Sequence, residues 1–183
     1  MTDISEKQSP AAVSPMKYTV RQITLTALLM AVNIGLASFS IPVPGGHLYL
    51  CDISVVAAAL LLDPPAAFIA AGVGSFLGDF FFYPVTMFVS LFVHGFQAAI
   101  ISVFARRLFR SRQALSAALG IFLGAVFMVV GYSLARAYLY STPAYAWLKL
   151  PYEILQAVMG AVIAPFLVYR RKLGRLAESL LSH

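Results

Sequence analysis

Asp63-Pro64-Pro65-Ala66-Ala67-Phe68-Ile69-Ala70-Ala71-Gly72-Val73-Gly74-Ser75-Phe76-Leu77-Gly78-Asp79-Phe80-Phe81-Phe82-Tyr83-Pro84 carries one charged residue, Asp79, between its ends. Aspartate can cap free N–H groups, and proline at the first helical position gives up no donor the helix needs, so Asp63-Pro64 reads as a helix start. Tyr83-Pro84 is a break. The apolar run between, about 66–82, approaches the roughly 20 residues that cross a bilayer. The same signs recur outward in both directions. Of the 183 residues, 61% are hydrophobic and 11% charged, against roughly a quarter charged in a soluble domain. A chain this size cannot hide that much apolar surface inside itself.

Turn formers or charge interrupt the chain at Pro42-Val43-Pro44-Gly45-Gly46, Asp63-Pro64-Pro65, Tyr83-Pro84, Arg106 to Arg112 and Tyr140-Ser141-Thr142-Pro143. They divide it into six apolar segments at about 22–41, 48–62, 66–82, 85–105, 114–139 and 147–169. The second is short for a span, so it is either tilted in a thin region or half-buried against its neighbours. The expected fold class is all-α: an integral membrane bundle of six transmembrane helices over residues 17–175. Residues 1–16 are polar and contain Pro and Ser, which reads as a disordered cytoplasmic tail, and 176–183 as a second cytoplasmic tail. The apolar stretch from Ile23 to Ile41 is longer than a signal-peptide core and reads as a retained helix; cleavage at Ala37-Ser38-Phe39-Ser40 is the alternative.

Lys and Arg accumulate on the cytoplasmic side of membrane proteins. Lys7, Lys17 and Arg21 precede the first segment; Arg106, Arg107, Arg110 and Arg112 lie between the fourth and fifth; Arg170, Arg171, Lys172 and Arg175 follow the sixth. Six spans put all three clusters, eleven of the 13 basic residues, on one side with both termini, and leave Arg136 and Lys149 toward the outside. Five or seven spans split the clusters. The net charge of +6 is thus a topology signal rather than a groove for nucleic acid. The lone Cys51 can form no intramolecular disulfide and reads as a small buried residue, with no cysteine-based metal site and no cofactor expected.

Charges inside spans are costly and mark candidate function. Asp52, Asp79, Arg136 and Glu153 fall in the outer part of the membrane, with Asn33, His94 and Gln97 deeper; an outward-opening polar pocket is their joint explanation. Asp52 as a cap of the second segment, and Glu153 as a first-turn carboxylate after Pro151, are the plainer readings of those two. Asp79 lies near the C-terminal end of its helix, where the dipole disfavours an anion, and wants a cation or a hydrogen-bonded ligand. A structural Asp79–Arg136 pair would supply the cation. His94 is either a satisfied core histidine or a ligand contact. Of the many aromatic residues on the outer side, Tyr138, Trp147 and Tyr152 are the expected stacking partners for a flat ring, the rest belt anchors. Small residues at four-residue spacing permit close helix approach: Ala27, Ala31 and Gly35; Ala70, Gly74 and Gly78; Gly120 and Gly124. Internal packing is the ordinary reading of all three.

With Ala27-Leu-Leu-Met-Ala31 on the first helix, a Pro/Gly loop, and Gly46-His47-Leu48-Tyr49-Leu50-Cys51-Asp52 opening the second, the chain resembles the substrate-binding S component of an energy-coupling factor (ECF) vitamin transporter. Asp63-Pro64-Pro65-Ala66-Ala67, Gly72-Val73-Gly74-Ser75-Phe76-Leu77-Gly78-Asp79 and His94-Gly95-Phe96-Gln97-Ala98 extend the likeness over nearly all the chain after the tail. It departs where Tyr49-Leu50-Cys51-Asp52 stands for an Asn-Leu-Gly-Asp often seen there, and where His94-Gly95 replaces a common Lys-Gly. These departures bear on which ligand is taken. The resemblance implies capture of a small vitamin or precursor, such as a hydroxymethylpyrimidine, pyridoxine or thiamine-like compound, at the outer face of a bacterial plasma membrane. The loop from about Pro42 to Tyr49, including His47, is then a lid. Ala27, Ala31 and Gly35 would dock on a membrane-embedded coupling subunit, and two ATPase subunits would supply energy. The chain itself lacks a Gly-x-x-x-x-Gly-Lys-Ser/Thr phosphate loop. An ion-coupled carrier and a membrane enzyme using Asp52, Asp79, His94 or Glu153 are the alternatives; no nucleophile with its base at recognisable spacing favours the enzyme.

Overall fold

The computed structural model describes residues 18–107 and 112–170. The two expected tails, and the basic residues Lys7, Lys17, Arg110, Arg171, Lys172 and Arg175, lie outside the described residues. Six helical segments are described: α1 Val20–Ser38, α2 Cys51–Leu61, α3 Pro64–Phe82, α4 Met87–Arg107, α5 Gln113–Tyr140 and α6 Pro143–Tyr169. All but α2 are long and apolar enough to cross a membrane. At about 1.5 Å per residue, the 11 residues of α2 cover roughly half of a ~30 Å hydrocarbon core.

That short helix is the centre of the molecule. It packs on α1, α4 and α6, while α3 lies against α1 and α4, and α5 joins α4 to α6. Val55, Val56, Ala58 and Ala59 of α2 meet Ala67, Ala70 and Ala71 of α3 and Ala98 and Ile101 of α4 in a core made largely of alanine. Small side chains let backbones close up where lipid offers no hydrophobic drive to associate. A Cβ added at Gly72 would sit 2.6 Å from the Leu91 carbonyl oxygen, at Gly78 2.8 Å from Ala37 Cβ, and at Gly124 2.6 Å from Ile101. The stripes on α3 and α5 are therefore internal packing. The α1 stripe is not: Ala27, Ala31 and Gly35 are exposed, and a Cβ at Gly35 meets nothing within 4 Å. Gly72→Ala is expected to lower the melting temperature in detergent through overpacking of about 1–3 kcal/mol. Gly35→Ala is expected to leave it unchanged or raise it, since alanine favours a helix by up to ~1 kcal/mol; thermal unfolding of the pair checks both.

The segment between α1 and α2 is not a plain loop. Ser40–Val43 (β1) and Gly46–Tyr49 (β2) pair antiparallel, with Ile41 opposite Leu48 and Pro42 opposite His47. Pro44-Gly45 forms the tip, and Gly45 adopts φ +82°, open to glycine at no steric cost. Asp63 sits extended before Pro64 as expected, yet makes no side-chain cap bond; Tyr18 donates to it at 3.5 Å. Arg106 donates from Nε and Nη2 to the carbonyls of Leu62 and Leu61, satisfying the end of α2 as well as marking that end of the bundle. The Ser116 hydroxyl bonds the Phe104 carbonyl, so Arg112 and Arg106 share that end, opposite the hairpin.

Candidate ligand-binding site

The polar residues converge just inside the hairpin. A cavity of about 120 Å³ lies there, and every described helix and the hairpin contribute to its wall: Ala37, Cys51, Ser75, His94, Tyr132, Gln156 and His47 represent them in turn. A larger groove of about 730 Å³ runs between α5 and α6, but Ala117, Ile121, Val126, Ile154 and Val158 make it apolar. A ligand site needs a few placed polar groups to fix orientation, and only the smaller cavity has them.

Asp79 reaches it from the end of α3, where Pro84 stops the helix. The unfavourable dipole there is offset by hydroxyls rather than by a cation: Thr86 donates at 2.6 Å and Ser90 at 2.5 Å, both to Oδ2. Ser90 also meets the Tyr132 hydroxyl at 2.6 Å. The expected Asp79–Arg136 pair is thus not formed. Arg136 Nη2 instead bonds Glu153 Oε1 at 3.1 Å, and Ser133 donates to the other Glu153 oxygen at 3.0 Å. Glu153 is no first-turn carboxylate either, because α6 begins at Pro143, capped by Thr142, and runs through Pro151.

Asp52 does not cap α2. Its carboxylate is 1% exposed and accepts from Gln97 at 3.0 Å and Gln156 at 2.5 Å, tying α2 to α4 and α6. His94 Nδ1 lies 2.8 Å from Gln97 Oε1 and its ring 5.3 Å from that of Tyr132. Cys51, Asp52 and His94 bring their donor atoms within 4.8 Å of one another, a grouping that sequence spacing did not suggest. These Asp52 and His94 atoms are already engaged with Gln97 and Gln156, so the trio reads as polar packing rather than a metal centre.

The hairpin is fastened over the cavity by three bonds. Arg136 Nη1 donates to the Gly45 carbonyl at 3.1 Å, Lys149 Nζ to the His47 carbonyl, and the Tyr49 N–H to Gln156 Oε1 at 3.0 Å. Inside it, His47 and Tyr83 rings stand 4.6 Å apart, and Tyr49 meets Tyr83 edge-on at 5.5 Å. Burial, helped by nearby Asp79, raises the Tyr49 phenol pKa, so it stays neutral.

Residues 17–172 match the family model described as ECF-type riboflavin transporter, S component. The chain belongs to that S-component family. A protein of Pyrococcus woesei, described as an uncharacterized protein in the gap 3′ region, is 30% identical over 158 residues, covering 85% of this chain and 99% of that one. A solved structure described as the S component of a bacterial ECF transporter superposes with a TM-score of 0.66 at 19% identity, covering 85% of this chain and 97% of that one; it shows the fold. The S component is accordingly a multi-pass membrane protein, the substrate-binding subunit of an ECF importer that works with a transmembrane partner and ATPases.

Within this S component, His47, Asp79, His94, Arg136 and Glu153 line the cavity, with Asp52 and Gln97 directly behind it. Asn33 does not reach it: its amide bonds the Ala71 carbonyl and Ser75 and accepts from Ser54, joining α1 to α2 and α3. Tyr138 and Trp147 are 78% and 74% exposed on the outer surface, and Tyr152 is half-buried but outside the wall. The tyrosines that line the cavity are Tyr49, Tyr83, Tyr132 and Tyr140. A helix turns about 100° per residue, so Tyr138 and Trp147, each two places from an inward Arg136 or Lys149, point nearly opposite. The buried stripe Ala146, Lys149, Glu153, Gln156 and Gly160 repeats at three- and four-residue steps, and that period would have found Lys149 and Gln156.

Proposed function

We propose that the protein captures a single-ring vitamin or vitamin precursor, of the hydroxymethylpyrimidine or pyridoxine kind, from outside the cell and delivers it for ATP-driven uptake. The carrying observation is the polar, ring-lined cavity of about 120 Å³ under the hairpin. Clefts that hold drug-sized ligands measure roughly 300–1,000 Å³, so a space this small suits one ring with its substituents; a thiamine-like compound would extend toward the hairpin. Asp79 and Glu153 can accept from ring or amino N–H groups, and tyrosine rings flank them.

Sidedness follows from charge. Arg21, Arg106 and Arg112 lie at the end away from the hairpin, which by the positive-inside rule is cytoplasmic; five long helices and the short α2 run between the two ends. The hairpin then faces outward as the lid. The exposed Ala27, Ala31 and Gly35 stripe on α1 supports close docking of a coupling subunit, with two ATPase subunits behind it.

Riboflavin, named in the description of the matching family, is the second reading. Its three fused rings demand more room than the closed cavity offers and would enter only with the hairpin displaced. Calorimetric titration of the purified protein with hydroxymethylpyrimidine, pyridoxine, thiamine and riboflavin separates the readings. Saturable one-to-one binding of a single-ring compound in preference to riboflavin is expected. Binding by none of the four, with no co-purification of coupling and ATPase subunits, would count against both.

A further inference from the structure

Arg136–Tyr140, the last turn of α5, is a π-turn, a rare geometry that often marks functional sites. It stacks the Arg136 guanidinium 5.4 Å over the Tyr140 ring and brings both side chains to the cavity wall. Among the described residues, Arg136 Nε and the Tyr140 hydroxyl are the two buried side-chain polar atoms without a hydrogen-bond partner. Neighbouring groups are turned to other partners: Arg136 spends Nη1 on Gly45 and Nη2 on Glu153, Asp79 takes Thr86 and Ser90 on one oxygen, and Gln156 bridges Asp52 and Tyr49. Buried polar groups in native proteins are nearly always paired, and each exception calls for a reason.

We infer that Arg136 Nε–H and Tyr140 O–H form a two-donor subsite for a neutral oxygen of the ligand, a hydroxymethyl, ring-hydroxyl or ring-carbonyl oxygen. This rests on the uptake reading and adds which end of the ligand lies against α5. An acceptor is required because both groups can donate and Arg136 can only donate; an oxygen offers two lone pairs and can take both bonds at once, where a ring nitrogen offers one. A neutral one fits because Asp52, Asp79 and Glu153 outnumber Arg136 and Lys149 around the cavity, and Glu153 already answers the guanidinium charge. A phosphate or carboxylate would add an anion to that surplus. The opposite end of the ring is left to Asp79, whose two hydrogen bonds both land on Oδ2 and leave Oδ1 to accept an N–H.

The test is Tyr140→Phe, which deletes one hydroxyl and keeps the ring beneath Arg136. Hydroxymethylpyrimidine is compared with 4-amino-2,5-dimethylpyrimidine, which differs by that one hydroxyl and carries no other oxygen. The parent protein is expected to bind the oxygenated member at least tenfold more tightly, since an analogue lacking it leaves both donors unpaired. Tyr140→Phe should weaken the oxygenated compound about three- to tenfold and leave the deoxy compound unchanged. Equal loss for both, or for neither, overturns the subsite. Melting of the ligand-free proteins is the second arm. A Tyr140→Phe protein as stable as the parent, or more so, supports a hydroxyl held for a ligand; a clearly less stable one means the hydroxyl is spent inside the protein and overturns the inference. Failure of every compound to bind the parent would instead strike the uptake reading, and the melting arm would still decide the subsite.

Discussion

Replacing Arg136 by alanine is expected to be the most damaging single change in the cavity, lowering stability by about 3–5 kcal/mol and abolishing ligand binding. The cause is the partner left behind. Glu153 is 3% exposed and holds one oxygen against Arg136 and the other against Ser133. Without the guanidinium its carboxyl group is left in a low-dielectric site with one neutral hydroxyl for company. The hairpin also loses its bond at Gly45, so the roof loosens as the wall fails. The double change Arg136→Ala with Glu153→Gln should recover much of the stability, because it removes the orphaned carboxyl group, yet recover no binding. Thermal unfolding and calorimetry on the three variants measure this. Equal instability of the single and double variants would show that Arg136 acts mainly through the hairpin.

Ala31→Leu is expected to abolish uptake in cells while leaving ligand affinity and melting temperature at parental values. Ala31 is exposed on the outer face of α1 between Ala27 and the open Gly35. A leucine there would project from an exposed face of the helix, so folding should not notice it. Against a docking helix the same side chain would hold the backbones apart, since small residues are what permit close approach in lipid. Asn33, two residues on, faces the opposite way into Ser54 and Ser75, which keeps the two effects separable. Radiolabelled uptake beside binding in detergent reads the split. Loss of binding, rather than of uptake alone, would return the stripe to internal packing.

Helix placement was legible because it depends on local signals. Asp63-Pro64 starts α3 where the residues themselves dictate, whereas α6 begins at Pro143, a turn ahead of the apolar run expected from about 147. The hairpin was hidden by its brevity: four-residue strands around Pro44-Gly45 carry too little alternation to distinguish a ladder from a loop. Convergence of Asp52, Asp79, His94, Arg136 and Glu153 was expected from the cost of charge in lipid, but their partners were not. Pairing depends on helix rotation, and Arg136 finds Glu153 on α6 rather than Asp79 because the π-turn that begins at Arg136 borders α6 and the hairpin. Aromatic residues were the least legible. Rings at the membrane edge satisfy lipid and ligand alike, and only the 3.6-residue period tells the outward Tyr138 from the inward Tyr140.

A structure of the protein loaded with hydroxymethylpyrimidine or pyridoxine is the most direct test of the central claim. The compound should lie under the hairpin with its ring among Tyr83, Tyr132 and Tyr140, an N–H toward Asp79 and an oxygen toward Arg136. Finding it on the lipid-facing surface, with the side chains of Asp79, Arg136 and Glu153 closed on one another and no space between, would contradict the account.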